Sequence, residues 1–554
     1  MSTHPFHGVG RRQFLRLGAL TAGAAAVPHA VGGAASPAPA ARAADAQAAA
    51  PAFELEELGV SALQERMASG QETARSLAEK YLSRIEALDK QGPNLRQVLE
   101  INPDALQIAD ALDADRKAGR VRGPLHGIPV LIKDNVGTAD RMMTAAGSLA
   151  LQGSIPAKDS CVARRLREAG MVILGKTNLS EWANFRSTHS SSGWSGRGGQ
   201  GRNPYALDRN TSGSSSGTAA AIAASYATVG IGTETDGSIV SPANNCALVG
   251  LKPTIGLVSR AGIIPIAHTQ DTAGPMTRTV EDAAILLGAL VGADADDPVT
   301  RDAARKGHAD YRKFLDAAGL KGARLGVPRK ALFGQSVHAD RIANEAIAAM
   351  KSLGAVIVDP VELTTAGKVS DPEFDVLLYE FKADLNAYLA SLGAGAPARS
   401  LKDLIAFNEQ HKDREMPYFG QEIFLMAEKK GPLTDPKYRR ALAACRRLSR
   451  TLGIDAVMAK HRLDAIIAPT SGPPSLTDLV NGDYGPGGSS TLPAVAGYPH
   501  VTVPAGFAFG LPVGLSFFGR AYSEPTLLRL AYAFEQATRH RRPPRFLNTA
   551  ETDS

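Results

Sequence analysis

One lysine stands at a position where its side chain could act as a base. Lys133 ends the apolar run 127–132, which predicts a short buried strand. Burial disfavours the charged form of a lysine and lowers its pKa, as a general base near neutral pH requires. The structural alternative is a lysine paired with the adjacent Asp134 at a sheet edge. Lys133 is therefore a candidate base whose role depends on what lies next to it.

A serine-rich segment supplies the first candidate hydroxyls. Ser214 and Ser215 lie in the run 212–220, which contains only serine, glycine, threonine and alanine. Such small residues allow backbone and hydroxyl groups to approach one another closely. The plainer alternatives are a flexible loop or a serine N-cap, because the run leads directly into a predicted helix.

A second glycine-containing turn supplies a candidate nucleophile. Ser238 follows Gly237 in the segment 232–243, after a predicted strand. Successive backbone N–H groups in a tight turn can point at one spot and form an oxyanion hole. The alternative is a strand-to-helix turn capped by Asp236 or by Ser238 itself.

Two other motifs match known expressions without the context that they need. Gly170–Thr177 fits the P-loop pattern G-x-x-x-x-G-K-T, but its four intervening residues are large and apolar and predict a strand. Gly213–Gly217 fits G-x-S-x-G, which would make Ser215 the nucleophile of an esterase of the α/β-hydrolase type. That elbow should follow a buried strand, whereas a polar loop precedes it here, and the late His500 and His540 have no catalytic context.

Taken in order, the segments resemble the amidase signature family. The resemblance covers roughly residues 55–540, and Ser214 and Ser238 are 24 residues apart, as in the family pattern. The matching segments are Lys133, the serine-glycine run around Ser214, the stretch ending Asp236-Gly237-Ser238-Ile239, Gly250–Thr254, Gly170–Thr177 and Asn178–Glu181. The chain departs from the commoner pattern at Asp236 and Val240, where many members have glycine and arginine.

The resemblance implies a Ser-Ser-Lys mechanism of amide hydrolysis. Ser238 would attack the amide carbonyl and form an acyl-enzyme, while Ser214 would pass its proton to neutral Lys133. The backbone N–H groups of Thr235, Asp236, Gly237 and Ser238 would hold the oxyanion. Gly213 and Ser215 would support the relay, and the Gly213–Ser214 peptide bond would be cis. No metal or organic cofactor is expected.

One branch of the family, the peptide amidases, shares the departures. The resemblance to that branch rests on the runs Thr233–Val240, Gly256–Arg260, Gln270–Met276 and Ser180–Phe185. It implies hydrolysis of the C-terminal carboxamide of peptides with release of ammonia. The alternatives are an amidase or aryl acylamidase of other small amides, a tRNA-dependent amidotransferase subunit, the esterase that uses Ser215, and an exported binding protein without activity.

The elements that must position these residues alternate between helices and apolar strands. Buried strands are predicted at 171–174, 228–231, 465–468, 501–503 and 513–518, and helices at 161–169 and 218–226. Thr73 is a candidate N-cap for an earlier helix. The fold class is α/β, and the family resemblance implies a central mixed β-sheet covered by helices on both faces. The charged stretch around 290–460 is expected to form a helical insertion that shapes the substrate cleft.

The N-terminus and the charge balance bear on location and partners. Arg11, Arg12 and Arg16, the weakly apolar stretch that follows them, and a small-residue site near Ala43 resemble a twin-arginine export signal over 1–43, with a flexible linker over 44–52. A single amidase domain would occupy 53–554, exported to the periplasm or secreted. Without the leader, 57 basic residues face 55 acidic ones, so nucleic acid is not an expected partner. We expect a monomer that binds a small-molecule or peptide amide and, after export, no membrane.

The chain contains three cysteines, Cys161, Cys246 and Cys445, which is too few for a disulfide framework. Their spacing does not resemble a metal site. We expect all three to be buried small residues.

Overall fold

The structure is a computed structural model and describes residues 52–393, 395–484 and 487–552. The proposed leader, and the linker except for Ala52, lie outside the described residues. In the described part of the chain no helix combines the length and the apolar character that crossing a membrane needs.

In residues 52–552, apart from the few that are not described, eleven strands form one central sheet and two short strands pair separately. The strands are β1 Val98–Ile101, β2 Pro129–Lys133, β3 Val172–Thr177, β4 Trp194–Ser195, β5 Gly199–Gln200, β6 Val229–Glu234, β7 Val249–Lys252, β8 Thr272–Thr277, β9 Arg324–Gly326, β10 Val356–Val358, β11 Ala465–Pro469, β12 His500–Ala508 and β13 Leu511–Phe518. The order in the sheet is β1-β3-β2-β6-β8-β7-β12-β13-β11-β9-β10. Parallel pairs join β3-β2-β6 and β11-β9-β10, and the remaining pairs are antiparallel. The predicted mixed α/β sheet is confirmed.

Helices flank this sheet. They are α1 Val60–Ala68, α2 Ala74–Ile85, α3 Ala105–Lys117, α4 Cys161–Glu168, α5 Ser216–Ala223, α6 Val240–Asn245, α7 Val280–Leu290, α8 Ala303–Lys306, α9 Arg329–Leu332, α10 Val337–Ser352, α11 Ser370–Ser391, α12 Leu401–Gln410, α13 Lys412–Glu415, α14 Glu422–Glu428, α15 Pro436–Arg446, α16 Asp455–His461, α17 Thr491–Ala496 and α18 Glu524–Thr538. As predicted, Thr73 caps α2, accepting a hydrogen bond from Ser76 N at 3.0 Å. The strands β2, β3, β6 and β13 are buried along their whole length, because helices cover the sheet.

The stretch expected to be a helical insertion is mostly helical but is not separate from the sheet. It contains α8 to α15 and most of α16, and it also supplies β9 and β10, which extend the edge next to β11. One group of its helices packs in a second hydrophobic cluster with Trp182 and Phe185, and Phe381 of α11 and Phe424 of α14 are members. The stretch therefore lengthens the sheet, and its helices α11 and α14 also contribute to the second hydrophobic cluster.

The P-loop-like segment is a strand. Gly175, Lys176 and Thr177 complete the buried strand β3, whose backbone pairs with β2 and β1. Lys176 Nζ donates to Val136 O at 2.6 Å and to Thr144 Oγ1 at 2.9 Å. The backbone N–H groups of residues 172–177 belong to a strand and are not arranged as a phosphate loop. This agrees with the prediction that the apolar run is a strand. The three cysteines are buried, as expected, and each is a free thiol.

Candidate active site

The carboxyl ends of two neighbouring parallel strands bring the candidate base to the serine-rich segment. Ile132 of β2 lies opposite Ile231 of β6, so Lys133 ends its strand beside the last residues of β6. Lys133 Nζ lies 2.7 Å from Ser214 Oγ, 2.9 Å from Thr233 Oγ1 and 3.3 Å from Thr233 O. The lysine is fully buried, and its partners are hydroxyl and carbonyl oxygens, whereas the sequence alternative paired it with Asp134.

Burial lowers the pKa of Lys133 to about 7, although the nearby Asp271 and Glu234 carboxyls act in the opposite direction. A large fraction of the side chain is therefore neutral at neutral pH. A neutral amine 2.7 Å from Ser214 Oγ can accept the proton of that hydroxyl.

The peptide bond between Gly213 and Ser214 is cis, as the family resemblance implied. A Cβ atom at Gly213 would collide with Ser180 Oγ, so glycine is the residue that fits this position. Ser180 N donates to Ser214 O at 3.1 Å, which fixes the backbone on the other side of Ser214.

Ser238 lies at the turn between β6 and α6. Its hydroxyl makes no hydrogen bond within the described part of the chain, and 7% of the residue's surface is exposed. Its carbonyl accepts a hydrogen bond from Ser215 N at 3.1 Å, which connects the nucleophile candidate to the serine-rich segment. A direct bond between the hydroxyls of Ser214 and Ser238 is not present among the described residues.

The turn residue before Ser238 has to be glycine. Gly237 has φ +83°, and a Cβ there would lie 2.9 Å from Ser241 Oγ and 3.0 Å from Ser490 Oγ. This conformation carries the chain from the end of β6 into α6 within a few residues.

Four consecutive backbone N–H groups at this turn have no acceptor within the described chain. They belong to residues 235–238, the predicted oxyanion hole. The next two N–H groups, of Ile239 and Val240, are bound by Glu234 Oε2 at 2.7 and 3.0 Å. Glu234 therefore closes the turn while the four preceding donors remain available for an oxyanion.

Side chains from neighbouring elements hold the turn of residues 235–238 in place. Thr235 Oγ1 donates to Asp271 Oδ1 at 2.6 Å, and Gln270 Nε2 donates to Thr235 O at 3.2 Å. Thr491 Oγ1 donates to Asp236 Oδ2 at 2.8 Å. Burial raises the pKa of Asp271 to about 6, against the three hydrogen bonds that its carboxylate accepts.

The helical stretch reaches this turn through α11. Gln270 Nε2, which holds Thr235 O, also donates to Glu373 Oε1 at 2.9 Å. Burial raises the pKa of Glu373 well above its usual range. Glu373 lies in the region that was expected to shape the substrate cleft. It therefore contacts Gln270, the residue that holds Thr235 O.

The alternative nucleophile lacks the surroundings that it needs. Ser215 Oγ is buried, donates to Thr233 O at 3.0 Å and accepts from Thr233 N at 3.1 Å. His500 is bonded instead to Ser516 Oγ, at 2.6 Å, and burial lowers its pKa to about 3. This geometry argues against a Ser-His esterase and gives Ser215 a supporting role in the loop.

One side-chain group in the described residues has the composition of a metal site: His268, Glu380 and Asp384. His268 Nδ1 lies 2.8 Å from Asp384 Oδ2. Glu380 accepts hydrogen bonds from Thr269 N at 3.0 Å and from Tyr438 OH at 2.8 Å. These contacts are those of a hydrogen-bonded ion pair, which accounts for the cluster without a metal.

Sequence reasoning did not single out several residues that support the site. Thr233, Glu234 and Asn135 lie within the motif segments, but nothing in their order along the chain shows what their side chains contact. Gln270 and Asp271 come to the turn because β6 and β8 are antiparallel, with Glu234 opposite Thr272. Only the pairing of strands distant in sequence reveals them.

Comparison with known proteins gives a consistent result. The family model named Amidase matches residues 76–528. A probable amidase of Arabidopsis thaliana is 44% identical over 485 residues, which cover 86% of this chain and 89% of the relative. Native peptide amidase from Stenotrophomonas maltophilia has a similar structure, with a TM-score of 0.85 and 52% identity, covering 89% of this chain and 100% of that chain. A glutamyl-tRNA(Gln) amidotransferase subunit from a Synechococcus species is 34% identical over 506 residues, covering 88% of this chain and 93% of the relative.

The fold, the lysine-serine site and these similarities define an amide hydrolase. The chain belongs to the amidase signature family and is an amidase.

Proposed function

We propose that this amidase hydrolyses the C-terminal carboxamide of peptides and releases ammonia, using Ser238, Ser214 and Lys133. The hydrogen bond of 2.7 Å between the buried Lys133 amine and Ser214 Oγ is the observation that supports the mechanism most directly. The similarity to a peptide amidase at 52% identity over the whole of that chain supports the substrate class.

In the proposed acylation step, Ser238 Oγ forms a bond to the amide carbon, and its proton passes to Ser214 as the Ser214 proton passes to Lys133. The carbonyl oxygen becomes an oxyanion that the free N–H groups of residues 235–238 stabilise. The C–N bond then breaks, the nitrogen takes a proton back through Ser214, and ammonia leaves. Water attacks the acyl-enzyme by the same route in reverse.

Ammonia release from a short peptide with a C-terminal amide tests this proposal, with the protein compared with its Lys133→Ala variant. Release by the protein and loss in the variant are expected. Release by both would return the assignment to Ser215. Release by neither would replace the peptide substrate by other small or aryl amides.

The alternative is an amidotransferase subunit, which would act together with partner proteins. The observation in its support is the similarity to such a subunit at 34% identity. The similarity to a peptide amidase is greater, at 52% identity, and this favours hydrolysis. Co-purification of the tagged chain from its own cells decides between them, because an amidotransferase subunit would be recovered with its partners.

The export proposal rests on the twin arginines at Arg11 and Arg12 and on the leader-like sequence that follows. We propose transport by the twin-arginine route to the periplasm or the medium. Substitution of both arginines by lysine should retain the protein in the cytoplasm, as measured by cell fractionation. Unchanged export in that variant would contradict the proposal.

A further inference from the structure

A cavity of about 460 Å³ lies next to elements that support the turn of residues 235–238. Gln270, whose Nε2 donates to Thr235 O, is one of its lining residues, and so is Ala496 of α17. None of the three catalytic candidates is among the described residues that line it. Pockets that bind small molecules usually measure about 300–1,000 Å³. The cavity is therefore large enough for a ligand and separate from the catalytic lysine and serines.

Basic side chains line this cavity without acidic ones. The described residues of its lining include no aspartate or glutamate but four basic residues, Arg260, His268, Arg446 and Arg450. Two of the four are paired with carboxylates that lie outside the lining. Arg260 Nη2 lies 2.5 Å from Asp297 Oδ1. His268 Nδ1 lies 2.8 Å from Asp384 Oδ2. The positive charge that remains uncompensated is that of Arg446 and Arg450.

Arg446 and Arg450 form no ion pair with a carboxylate in the described part of the chain. Asp455 is near enough to act on Arg450 electrostatically, but its carboxylate accepts a hydrogen bond from Tyr498 OH at 2.8 Å. Burial lowers the pKa of Arg450, and the nearby charge of Arg446 lowers it further. Two cations thus lie close together, and an anion between them would relieve their repulsion.

The guanidinium of Arg450 is held in place but keeps free donors. Its Nε donates to Ala496 O at 2.8 Å, and its central carbon lies 5.7 Å from the ring centre of Tyr498. Its Nη1 and Nη2 make no hydrogen bond among the described residues, and neither is sealed from solvent. These N–H groups are therefore available to an occupant of the cavity that Arg450 lines.

The rest of the lining indicates what else the ligand carries. Most of the remaining side chains are apolar or aromatic, among them Ile255, Val376, Leu442, Val495 and Tyr498. Such surfaces bind hydrocarbon groups, whereas a guanidinium binds the two oxygens of a carboxylate or a phosphate through parallel hydrogen bonds. The lining therefore fits a molecule with one anionic end and an apolar body.

We propose that this cavity binds a small organic anion, whose carboxylate or phosphate head group contacts Arg446 and Arg450 and whose apolar body packs against Val376 and Leu442. The site is a second binding site, apart from the one that hydrolyses amides. The proposal does not depend on which amide the enzyme hydrolyses.

Isothermal titration calorimetry on the unchanged protein tests the ligand class with three probes that share a phenyl ring. They are 3-phenylpropionate, phenyl phosphate and the uncharged 3-phenylpropan-1-ol, each at pH 8, where both acids are ionised. At least one acid should bind at least about tenfold more tightly than the alcohol, the usual size of one hydrogen bond to a charged group. The acid that binds more tightly identifies the head group.

Substitutions locate the bound acid. Arg446→Met and Arg450→Met should each weaken its binding about tenfold or more, and Arg450→Lys, which keeps the charge but loses the planar fork, should lie between Arg450→Met and the unchanged protein. The matched control is Arg447→Met, because Arg447 is an exposed neighbour that does not line the cavity, and its affinity should be unchanged. Thermal unfolding without ligand checks that each variant is folded. Arg446 is exposed and makes no hydrogen bond among the described residues, so its substitution should leave the unfolding temperature unchanged.

Three results would overturn the proposal: no binding of either acid, equal binding of the alcohol, or full affinity in both Arg446→Met and Arg450→Met. The last result would mean that the acid binds elsewhere, for example at the catalytic serines. Because binding is measured without turnover, each of these failures leaves the proposed function intact. Failure of the protein to hydrolyse peptide amides would, in turn, leave this second site untouched.

Discussion

At the scale of single residues, three buried lysines of the described chain all have lowered pKa values but differ in what they contact. Burial lowers the pKa of Lys133 to about 7, and that of Lys176 and of Lys252 to about 8. Lys176 donates to a carbonyl and a threonine hydroxyl, and Lys252 Nζ donates to Pro253 O at 3.1 Å. Lys133 alone among these three contacts Ser214. A lowered pKa is thus common to all three, and the partner distinguishes the candidate base.

The pKa of Lys133 gives a pH prediction. In the proposed mechanism the neutral amine is the active form, so kcat/KM for a peptide amide should be constant well above pH 7 and fall about tenfold per pH unit well below it. A pH–rate profile measures this. A rate that is flat from pH 8 to pH 5 would contradict a lysine base, and Lys176→Met, which replaces a buried lysine of the neighbouring strand, should keep the inflection near pH 7.

Substitutions of Ser238 and of Ser215 should have different effects on activity and stability. Ser238→Ala removes the proposed nucleophile and should lower kcat at least about 10⁴-fold, with an unchanged unfolding temperature. Ser215→Ala removes one buried pair of loop hydrogen bonds, to Thr233, and should cost stability, on the order of 1–3 kcal/mol, with a smaller loss of kcat. Kinetics together with thermal unfolding checks both. The reverse pattern would make Ser215 the nucleophile.

At the scale of elements, the turn from β6 to α6 is positioned by groups on other strands and helices. Gln270 and Asp271 precede β8, and Thr491 begins α17. Each bonds a different part of the turn, so the free N–H groups of 235–238 are held before substrate arrives. Preorganised donors of this kind are effective because they need no rearrangement as the oxyanion forms.

The bond from Thr235 to Asp271 tests this arrangement. Thr235→Val keeps the shape but loses the hydrogen bond of 2.6 Å, and we expect kcat to fall about 10- to 100-fold with little change in KM. Steady-state kinetics on a peptide amide measures both constants. Thr228→Val is the matched control, since Thr228, just before β6, makes a buried bond of 3.3 Å to Tyr81 OH at the end of the strand remote from the turn. A larger effect in the control than in Thr235→Val would show that the turn does not depend on this bond.

At the scale of the whole molecule, a buried charge cluster connects the helical stretch to the region of the site. Arg186 Nη1 lies 2.8 Å from Glu181 Oε1 and 3.7 Å from Oε2 of Glu415, the last residue of α13. Glu415 Oε1 accepts from Leu149 N at 2.6 Å. The guanidinium also lies 4.5 Å from the ring centre of Phe419. These contacts join segments more than 200 residues apart in the sequence.

Removing the cation should therefore destabilise the fold strongly. Arg186→Met leaves two buried carboxyl groups without their partner, and we expect the free energy of unfolding to fall by about 3–5 kcal/mol. Urea unfolding measures it. Arg341→Met is the control, because the Arg341–Glu345 pair on α10 is exposed and should change stability by less than about 1 kcal/mol. Similar effects of the two substitutions would contradict a structural role for the cluster.

The strands that the sequence predicts are those with continuous apolar runs. The runs before Lys133 and after Gly170 became β2 and β3, although β3 continues to Thr177. The strand β8 was not predicted, because Thr272–Thr277 contains glycine and proline and has a weak tendency to form strands. It is a strand because β6 and β7 pair with it on both sides.

The α/β class, the family and the candidates Lys133, Ser214 and Ser238 could all be predicted from the amino-acid sequence, because they depend on local apolar runs and on the order of the motifs. The contacts between atoms could not be predicted in this way: Lys133 contacts Ser214 and Thr233, and Glu234 bonds two N–H groups while the four that precede them stay free. Burial, strand pairing and hydrogen-bond partners are contributed by residues up to hundreds of positions away, and a local pattern carries no information about those distances.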